Sequence, residues 1–573
     1  MDKKFLLAII LSFLVIYGWQ AMFPPAPPPK QTPPQKVTSA PSGTAAPTTQ
    51  PVPNTEKPIE PEASKPLLAA AGEQDVTIDN SAVQLVLNTR GGTLKSWRLK
   101  NYRDGTGAYL ELVPQNVPNA ARPFSLEVDD PAITAKLREA LFKPDREGAV
   151  TVGAQATEVV FEFRDAAGLT ARKVFSFSPA HPYIVQFSAD VSLNDKALSP
   201  TVVWGPALGT GIVSNSMSYA PPPQPIFYKD GKVSRVAIKN IEQHRQEQGT
   251  FGFAGVDDHY FLSALIPNGQ PLDLRYDPVQ VAIEGTDQHL QFISWKVHAP
   301  SATKDAQYFF GPKDLDVLQS IKPDLVRAID FGMFDWLVVP LLRALKWING
   351  YIGNYGWSII ALTVLINLVM FPLRHKSVVS MRKMQEIQPQ IKAIQDRYAK
   401  LKMTDPGRQK MNEEVMALYK QHGANPATGC VPMLLTFPVL IAFYAMLSVA
   451  IELRGAPFIG WIRDLSAHDP LYITPVLMGI SMFIQQKMTP TVGDPVQQKM
   501  MMFMPVMFTG MLMRAPSGLV LYWTISNLWG IGQQAITTRL IGPPPQHNLR
   551  PPAERQLKQA GTGKSTQAAK ERS

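Results

Sequence analysis

Long apolar segments are the first pattern in this chain, and they predict helices that cross a membrane. The segment Gly356–Leu373 is apolar except for Ser358, Thr363 and Asn367. As a helix it would extend about 27 Å, slightly less than the roughly 30 Å hydrocarbon core of a bilayer. The aromatic-rich residues just before it supply the missing length. We therefore predict a span over residues 351–373.

Other apolar segments extend this prediction to six spans. Residues 1–23 carry two lysines before an apolar run without a small-residue cleavage site, which predicts an uncleaved anchor with its N-terminus in the cytoplasm. Residues 429–538 contain four further segments: 429–451, 472–485, 499–513 and 516–536. Two of these are short, which indicates a thinned bilayer or a water-accessible face. The basic tail, residues 539–573, predicts a cytoplasmic C-terminus.

Between the first two spans the pattern changes to strict alternation. Residues 75–311 contain segments such as TEVVFEF and ARKVFSF, separated by turn residues, which predict an all-β sandwich outside the cytoplasm. Residues 24–74 form a linker, since 14 of the 43 residues in 24–66 are proline. Residues 312–350 predict amphipathic or interfacial helices, and the apolar stripe of residues 312–331 predicts a helix that either lies on the outer membrane surface or packs on the β-domain.

A basic helical hairpin is predicted for residues 374–428. Ile387, Ile391, Ile394, Tyr398 and Leu401 form a heptad-like stripe, and a second stripe follows in the next helix. From Arg374 to Pro426 there are eleven Lys and Arg against five Asp and Glu. This surface suits a ribosome, an emerging chain or anionic lipid, or it only enforces topology by the positive-inside rule.

Composition excludes several classes of chemistry. The net charge of +10 arises largely in the tails and between spans, and the single cysteine permits no internal disulfide. We find no catalytic triad, nucleotide-binding motif or metal-ligand spacing, and we expect no cofactor. A carboxylate pair among Asp257, Asp258, Glu284 and Asp287 would suit a membrane-anchored carbohydrate-active enzyme, although solvated turns explain these residues more simply. A transporter would need inverted repeats, and none is visible.

Polar side chains at spanning depth are the strongest functional signal. The set comprises Thr363, Asn367, Thr436, Ser481, Gln485, Thr524, Ser526 and Asn527. Such groups either line a hydrated groove or hold the helices together by hydrogen bonds. Both interpretations stay open for any single residue.

Four runs in the core resemble the YidC/Oxa/Alb family of membrane-protein insertases, of the Gram-negative type. They are NPATGCVPMLLTFPVLIAFY (Asn425–Tyr444), RDLSAHDPLYITPVLMG (Arg463–Gly479), DPVQQKMMMFMPVMF (Asp494–Phe508) and PSGLVLYWTISNL (Pro516–Leu528). The order of parts also matches, with FFGPK (Phe309–Lys313) at the end of the β-domain.

The resemblance implies a polytopic α-helical inner-membrane protein with six spans, a five-span insertase core and an all-β periplasmic supersandwich without known catalysis. It implies a groove that inserts nascent inner-membrane proteins, alone or with the Sec translocon, beside the ribosome and the phospholipid bilayer. No cofactor and no specific nucleic-acid sequence are involved.

One position departs from the family pattern. The groove of the family usually carries an arginine five residues before the Pro-Leu that ends the second span, and here Asn367 occupies that position. Arg374 lies seven residues on, on roughly the same helical face, and we expect it to substitute in part. The predicted groove comprises Thr363, Asn367, Arg374, Thr436, Ser481, Gln485, Tyr522, Trp523 and Ser526.

Overall fold

The computed structural model describes residues 66–541, apart from 105, 116, 118–119, 214–221, 283–288, 300–303, 399–404, 406, 423–430 and 490–494. The predicted anchor 1–23, most of the predicted linker 24–74 and the tail beyond residue 541 lie outside the described residues. By internal contacts the chain divides into two units, one containing Ser64–Gln385 and Pro426–Ser573 and the other containing Met1–Ala63 and Glu386–Asn425.

The segment of alternating pattern folds into three β-sheets, which confirms the all-β sandwich prediction. The strands are β1 (Pro66–Leu68), β2 (Asp75–Asp79), β3 (Val83–Asn88), β4 (Thr93–Arg103), β5 (Tyr109–Glu111), β6 (Ser125–Glu127), β7 (Lys143–Pro144), β8 (Ala149–Thr151), β9 (Thr157–Asp165), β10 (Leu169–Phe177), β11 (Ile184–Leu193), β12 (Lys196–Leu198), β13 (Thr201–Val213), β14 (Gln224–Lys229), β15 (Lys232–Arg235), β16 (Gln246–Thr250), β17 (Phe253–Asp257), β18 (Phe261–Ile266), β19 (Pro271–Ala282), β20 (His289–His298) and β21 (Ala306–Pro312).

The sheets follow the order of their hydrogen-bonded strands. The first runs β1-β9-β10-β11-β21-β18-β17-β14-β15, with β12 on β11 and β7 on β9. The second runs β16-β19-β20-β13-β6, and the third runs β5-β4-β3-β2-β8. In β9 buried positions alternate with more exposed ones along most of the strand, as the period-two sequence requires of a strand with one face in the core. A single short helix, α1 (Pro131–Glu139), is capped by Asp130.

Aromatic side chains join the three sheets. Trp204 of β13 stacks on Trp295 of β20 and on Tyr308 of β21, with ring centroids 5.4 Å apart in both pairs. Trp97 of β4 reaches the same cluster through Phe310, at 5.4 Å. All three sheets therefore share one core, because each contributes at least one buried large ring to it.

Eight further helices follow the β-domain. They are α2 (Leu315–Ile321), α3 (Asp335–Ile352), α4 (Tyr355–Arg397), α5 (Gly407–Gln421), α6 (Val431–Val449), α7 (Ile473–Met488), α8 (Pro495–Leu512) and α9 (Ser517–Ile541). In the described ranges, one helical segment, Tyr355–Met381, is long and apolar enough to cross a membrane, judged by length and composition only. Two shorter apolar segments are Phe437–Val449 and Met501–Leu512. One qualifying helix is weak evidence by itself, so the count of six spans stays a prediction.

The helix that contains the predicted span 351–373 begins at Tyr355, later than the predicted residue 351. Residues 351 and 352 end α3 instead, because Gly353 adopts the left-handed conformation with φ of 72° and donates its amide to Asn349. The Asn354 side chain then accepts from the Trp357 amide at 3.2 Å and starts α4. Pro372 does not end α4, which continues to Arg397.

The amphipathic segment after β21 packs on the β-domain, which is the second of the two predicted alternatives. Leu318 and Leu325 are fully buried. The Arg235 side chain donates to the Ala328 carbonyl at 2.6 Å, and Lys322 donates to the Gly252 carbonyl at 3.3 Å. These contacts attach the short 3₁₀ helix Pro323–Ala328 to strands of the first sheet.

Several polar contacts connect the β-domain to the helical core. His259, at the turn between β17 and β18, shares a hydrogen bond of 2.6 Å with the Ser448 carbonyl near the end of α6. The Lys346 ammonium of α3 lies 3.4 Å from Asp314 and 3.1 Å from Glu452, and it also pairs with Asp316. Glu452 is largely buried, so its charge depends on Lys346 for compensation.

The hairpin unit, residues 386–425, shows the predicted apolar stripe. Ile387, Ile391 and Ile394 are buried, as is Met411 of the second helix. Glu414 accepts from the Tyr398 hydroxyl at 2.7 Å and from Arg397 at 3.0 Å. Leu401, the last predicted member of the stripe, lies outside the described residues.

A lysine without a carboxylate partner lies in the β-domain core. The Lys173 ammonium donates to the carbonyls of Gly91, Gly92 and Phe124 at 2.6, 3.2 and 2.7 Å. Burial lowers the pKa of Lys173 to about 7. In the unfolded chain its pKa returns to roughly 10.4, so between pH 7 and pH 10 the unfolded state binds more protons. The free energy of unfolding therefore rises with pH in that window.

We expect Lys173→Met to remove this pH dependence. The free energy of unfolding of the original chain minus that of the variant should increase as pH rises from 7 to 10. It should be at its lowest value below pH 7, where the lysine is charged in both the folded and the unfolded state. Urea unfolding of the purified chain in detergent, followed by tryptophan fluorescence at several pH values, measures it. Parallel pH profiles for the two proteins would contradict the prediction.

Candidate functional site

One face of α4 carries a continuous series of polar side chains. Thr363 donates its hydroxyl to the Ile359 carbonyl at 2.6 Å, and the Asn367 amide donates to the Thr363 carbonyl at 2.8 Å. Arg374 then donates from Nη1 to the Asn367 Oδ1 at 2.7 Å. Steps of four and seven residues keep these groups on one side of the helix. The predicted common face of Asn367 and Arg374 is thus a direct contact.

A cavity of about 300 Å³ lies beside this face, between α4, α7 and α9. Its walls are mostly side-chain amides and hydroxyls together with two aromatic rings. The lining residues are Arg374, Ser377, Val378, Leu440, Gln485, Thr489, Tyr522, Trp523, Ser526, Asn527, Gly530, Gln533 and Gln534. Arg374 is the single charged residue of this described lining, so the cavity is electropositive.

Five of the nine predicted groove residues line the cavity: Arg374, Gln485, Tyr522, Trp523 and Ser526. Thr363, Asn367 and Ser481 do not, since all three are buried among the helices. Asn367 still acts on the lining through Arg374, and Ser481 accepts a hydrogen bond of 3.1 Å from the lining residue Asn527. The side chain of Thr436 lies outside the described residues.

The sequence prediction missed part of one wall. Gln533 and Gln534 of α9 line the cavity, as do Ser377 and Thr489. The glutamines lie three and four residues beyond Gly530, which lies four beyond Ser526, so they continue the polar face of that helix. This helical spacing was a signal that could have identified them.

Gly530 allows the amide of Gln485 to reach the cavity. A Cβ added at residue 530 would lie 2.2 Å from Nε2 of Gln485, far closer than atoms can approach. A glycine at this position therefore lets α9 pass against the Gln485 side chain of α7. Gly532, two residues later, faces open space, with no atom within 4 Å of an added Cβ.

Two aromatic side chains form the apolar part of the wall. Tyr522 stacks on Phe443 of α6, with ring centroids 4.1 Å apart and an interplanar angle of 17°. Trp523 packs on Phe508 of α8 at 5.7 Å. Each ring is fixed by a neighbouring helix, so the cavity presents an apolar surface next to its polar one.

The carboxylates that suggested an enzyme have other partners. The simpler interpretation, a solvated turn, is wrong for Asp257, which is buried. Its carboxylate accepts from Arg235 at 3.2 Å and from Lys313 at 3.0 Å. Asp258 accepts from the amides of Tyr260 and Phe261, and burial raises its pKa. Glu284 and Asp287 lie outside the described residues. Within the described ranges, no group of three or more His, Cys, Asp or Glu could hold a metal ion.

Two family models match consecutive parts of the chain. The model described as YidC periplasmic domain matches residues 75–344, and the model described as 60Kd inner membrane protein matches residues 347–543. The first match contains strands β2 to β21 of the three β-sheets, and the second contains the helices that enclose the cavity.

Curated relatives match over nearly the whole chain, and the carbohydrate-active enzyme interpretation finds no support among them. Membrane protein insertase YidC of Geobacter metallireducens is 34% identical over 94% of this chain and 99% of its own length. The protein of the same description from Syntrophus aciditrophicus is 34% identical over 93% of this chain, and that of Geobacter sulfurreducens is 35% identical over 94%.

A solved structure described as an active YidC insertase with its first transmembrane domain resolved is 18% identical and covers 83% of this chain and 95% of its own, with a TM-score of 0.33. That score is too low to support a statement about the fold. The identities with the curated relatives, over almost their full lengths, are sufficient. The chain belongs to the YidC family of membrane protein insertases.

Proposed function

We propose that this protein inserts newly made membrane proteins into the cell inner membrane, and that the cavity between α4, α7 and α9 is the groove that receives them. Membership of the insertase family supports the function. The observation that supports the site is the cavity itself, in which one guanidinium and several side-chain amides lie between apolar helices. No covalent step is needed for this activity.

The proposed mechanism is a difference in solvation. The polar flank of a client enters the cavity, where Gln485, Asn527 and Gln534 replace part of its lost hydration. Its apolar part leaves the groove for lipid. Burial of about 20 apolar residues supplies the driving force, so no nucleotide is required.

A thinned bilayer would shorten the path of the polar flank. Helix α7 has 16 residues, so it extends about 24 Å, less than the roughly 30 Å of an average hydrocarbon core. A span of this length stabilises a locally thinner membrane at the groove. The flank then crosses a shorter apolar distance.

We propose the following topology for the whole chain. Residues 1–23 and 355–373 are the first two spans, the four apolar segments within 429–538 are the others, and both termini lie in the cytoplasm. The β-domain, residues 75–311, lies in the periplasm, and the hairpin, residues 374–428, lies in the cytoplasm. The basic surface of the hairpin suits a ribosome or anionic lipid, and cooperation with the Sec translocon follows the family pattern.

Arg374 is proposed to replace the arginine that the family usually carries at the position of Asn367. Its hydrogen bond to Asn367 Oδ1 holds the guanidinium against the lining of the groove. The described lining contains no carboxylate to neutralise it. An acidic client segment would supply the missing negative charge.

Depletion of this protein in its host should block insertion of small membrane proteins with short external segments. Protease accessibility of those proteins measures the effect. A variant without most of the β-domain, keeping residues from about 320 onward, should restore insertion, because the cavity belongs to the helical core. If the β-domain alone restored it, the insertase assignment of the core would be wrong.

Arg374→Ala should reduce insertion of clients with acidic tails about tenfold, the effect of losing roughly 1.4 kcal/mol of charge attraction. Clients with neutral tails should change little. Arg374→Lys should retain most of the activity, and the double change Asn367→Arg with Arg374→Ala should restore it by moving the cation to the usual position. Equal losses for acidic and neutral clients would contradict the proposed role.

Gly530→Ala should impair insertion of acidic and neutral clients alike, because the new methyl group displaces the Gln485 amide from the groove. Gly532→Ala is the matched control on the same helix, where an added methyl group meets open space. Both changes raise helix propensity by a similar amount, roughly 1 kcal/mol. Insertion assays on the pair separate loss of the amide from a general effect on α9, and identical results for both variants would exclude a role for Gln485.

A further inference from the structure

A second cavity, of about 850 Å³, lies at the start of α3. It shares no lining residue with the groove. It is enclosed by strand β15, the 3₁₀ helix Pro323–Ala328 and the first turns of α3. Its charged lining residues are Arg235, Arg327, Asp330 and Asp335. Two cations and two anions in one cavity leave almost no net charge.

Two exposed residues of the lining, Arg327 and Asp330, carry opposite charges. The Arg327 side chain is 57% exposed, and its guanidinium lies 5.3 Å from the ring centroid of Tyr228. Its Nε is 3.8 Å from Asp324, a distance that leaves the terminal nitrogens available to a ligand. The Asp330 side chain is 71% exposed, with Oδ2 3.9 Å from Arg235. The cavity therefore offers separate sites for an anion and for a cation.

Arg235 holds the inner wall and is not itself available. It donates to the buried Asp257 at 3.2 Å and to the Ala328 carbonyl at 2.6 Å. These bonds fix the strand and the 3₁₀ helix relative to each other. The positions of Arg327 and Asp330 are consequently set by the fold of the β-domain.

The mouth of the cavity joins an exposed aromatic face of α3. Trp336, Trp347 and Tyr351 are 67%, 65% and 77% exposed, and they recur along one side of the helix. The opposite side, including Val338 and Leu345, is fully buried. Trp336 belongs to both the aromatic face and the cavity lining. Exposed tryptophan and tyrosine on an amphipathic helix are typical of the membrane interface.

We propose that this cavity binds the headgroup of a zwitterionic aminophospholipid of the outer leaflet, of the phosphatidylethanolamine type. The phosphate accepts hydrogen bonds from Arg327, the primary ammonium donates to Asp330, and the glycerol and acyl chains lie along Trp336. The inference rests on the proposed topology, in which α3 lies between the periplasmic β-domain and the second span and therefore meets the outer membrane surface. It is independent of the groove.

Charge complementarity selects this class of lipid. An anionic headgroup such as phosphatidylglycerol would find no excess of positive charge, because two carboxylates offset the two guanidinium groups of the lining. The quaternary ammonium of phosphatidylcholine carries no hydrogen and cannot donate to Asp330. A phosphate and a primary ammonium in one headgroup match both exposed charges, and hydrogen bonds between charged groups are the stronger kind.

Native mass spectrometry of the full chain in detergent micelles tests the proposal, with phosphatidylethanolamine, phosphatidylcholine and phosphatidylglycerol titrated separately. We expect the first to bind most tightly. Arg327→Gln and Asp330→Asn should each weaken its binding about tenfold, the effect of one charge-assisted hydrogen bond. Arg327→Lys should restore part of the loss, because it keeps the charge but not the two-pronged geometry.

Arg343→Gln is the matched control, since Arg343 is an exposed arginine of α3 outside this cavity lining. It should leave lipid binding unchanged. Equal binding of the three lipids, tighter binding of phosphatidylglycerol, or an equal loss with Arg343→Gln would each overturn the proposal. Melting temperatures of the variants, measured in the same detergent, show whether any loss reflects unfolding. Insertion activity is not part of the readout, so failure here and failure of the groove are distinguishable.

Discussion

Satisfaction of hydrogen bonds away from water is the constraint on which the helical core depends. In the described helices, hydroxyl groups turn back to carbonyls of their own helix, as with Thr363 to Ile359 and Thr524 to Val520. Ser481 does the same with Met478. A hydroxyl satisfied in this way adds little polarity to the space between helices. The polarity of the cavity then comes mainly from side-chain amides and one guanidinium, which reach beyond their own helix.

This division decides what the groove is made of. Asn367 is almost wholly buried and bonds to the Thr363 carbonyl and to Arg374, so its role is to position the guanidinium rather than to contact a client itself. The amides of Gln485, Gln533 and Gln534 provide donors and acceptors that suit any polypeptide backbone. Under the proposed function, a general client range and a preference for acidic flanks would therefore come from different residues of the same cavity.

The same constraint shapes the β-domain, with charges in place of amides. Buried Asp257 is held by Arg235 and Lys313, and buried Lys173 is held by three carbonyls. Between the β-domain and the helical core, the ammonium of Lys346 lies close to the carboxylates of both Asp314 and Glu452. Removing Lys346, or both Arg235 and Lys313, would leave a buried carboxylate without a counter-charge, which is costly. Of the carboxylates that could have suggested catalysis, Asp257 and Asp258 are thus structural.

The sequence by itself determined the β-sandwich, the helical core, the family and the shared face of Asn367 and Arg374, because period-two and helical spacing fix which side chains point the same way. Spacing cannot show where a helix starts when two helices adjoin, and only the structure placed that break at Gly353. Nor could spacing separate Thr363 and Ser481, which are buried, from Gln485 and Ser526, which line the cavity. That difference depends on which neighbouring helix covers each residue. The approach of α9 to α7 at Gly530, and the hydrogen bond from Arg235 of β15 to the Ala328 carbonyl, are likewise contacts between segments that only tertiary packing brings together.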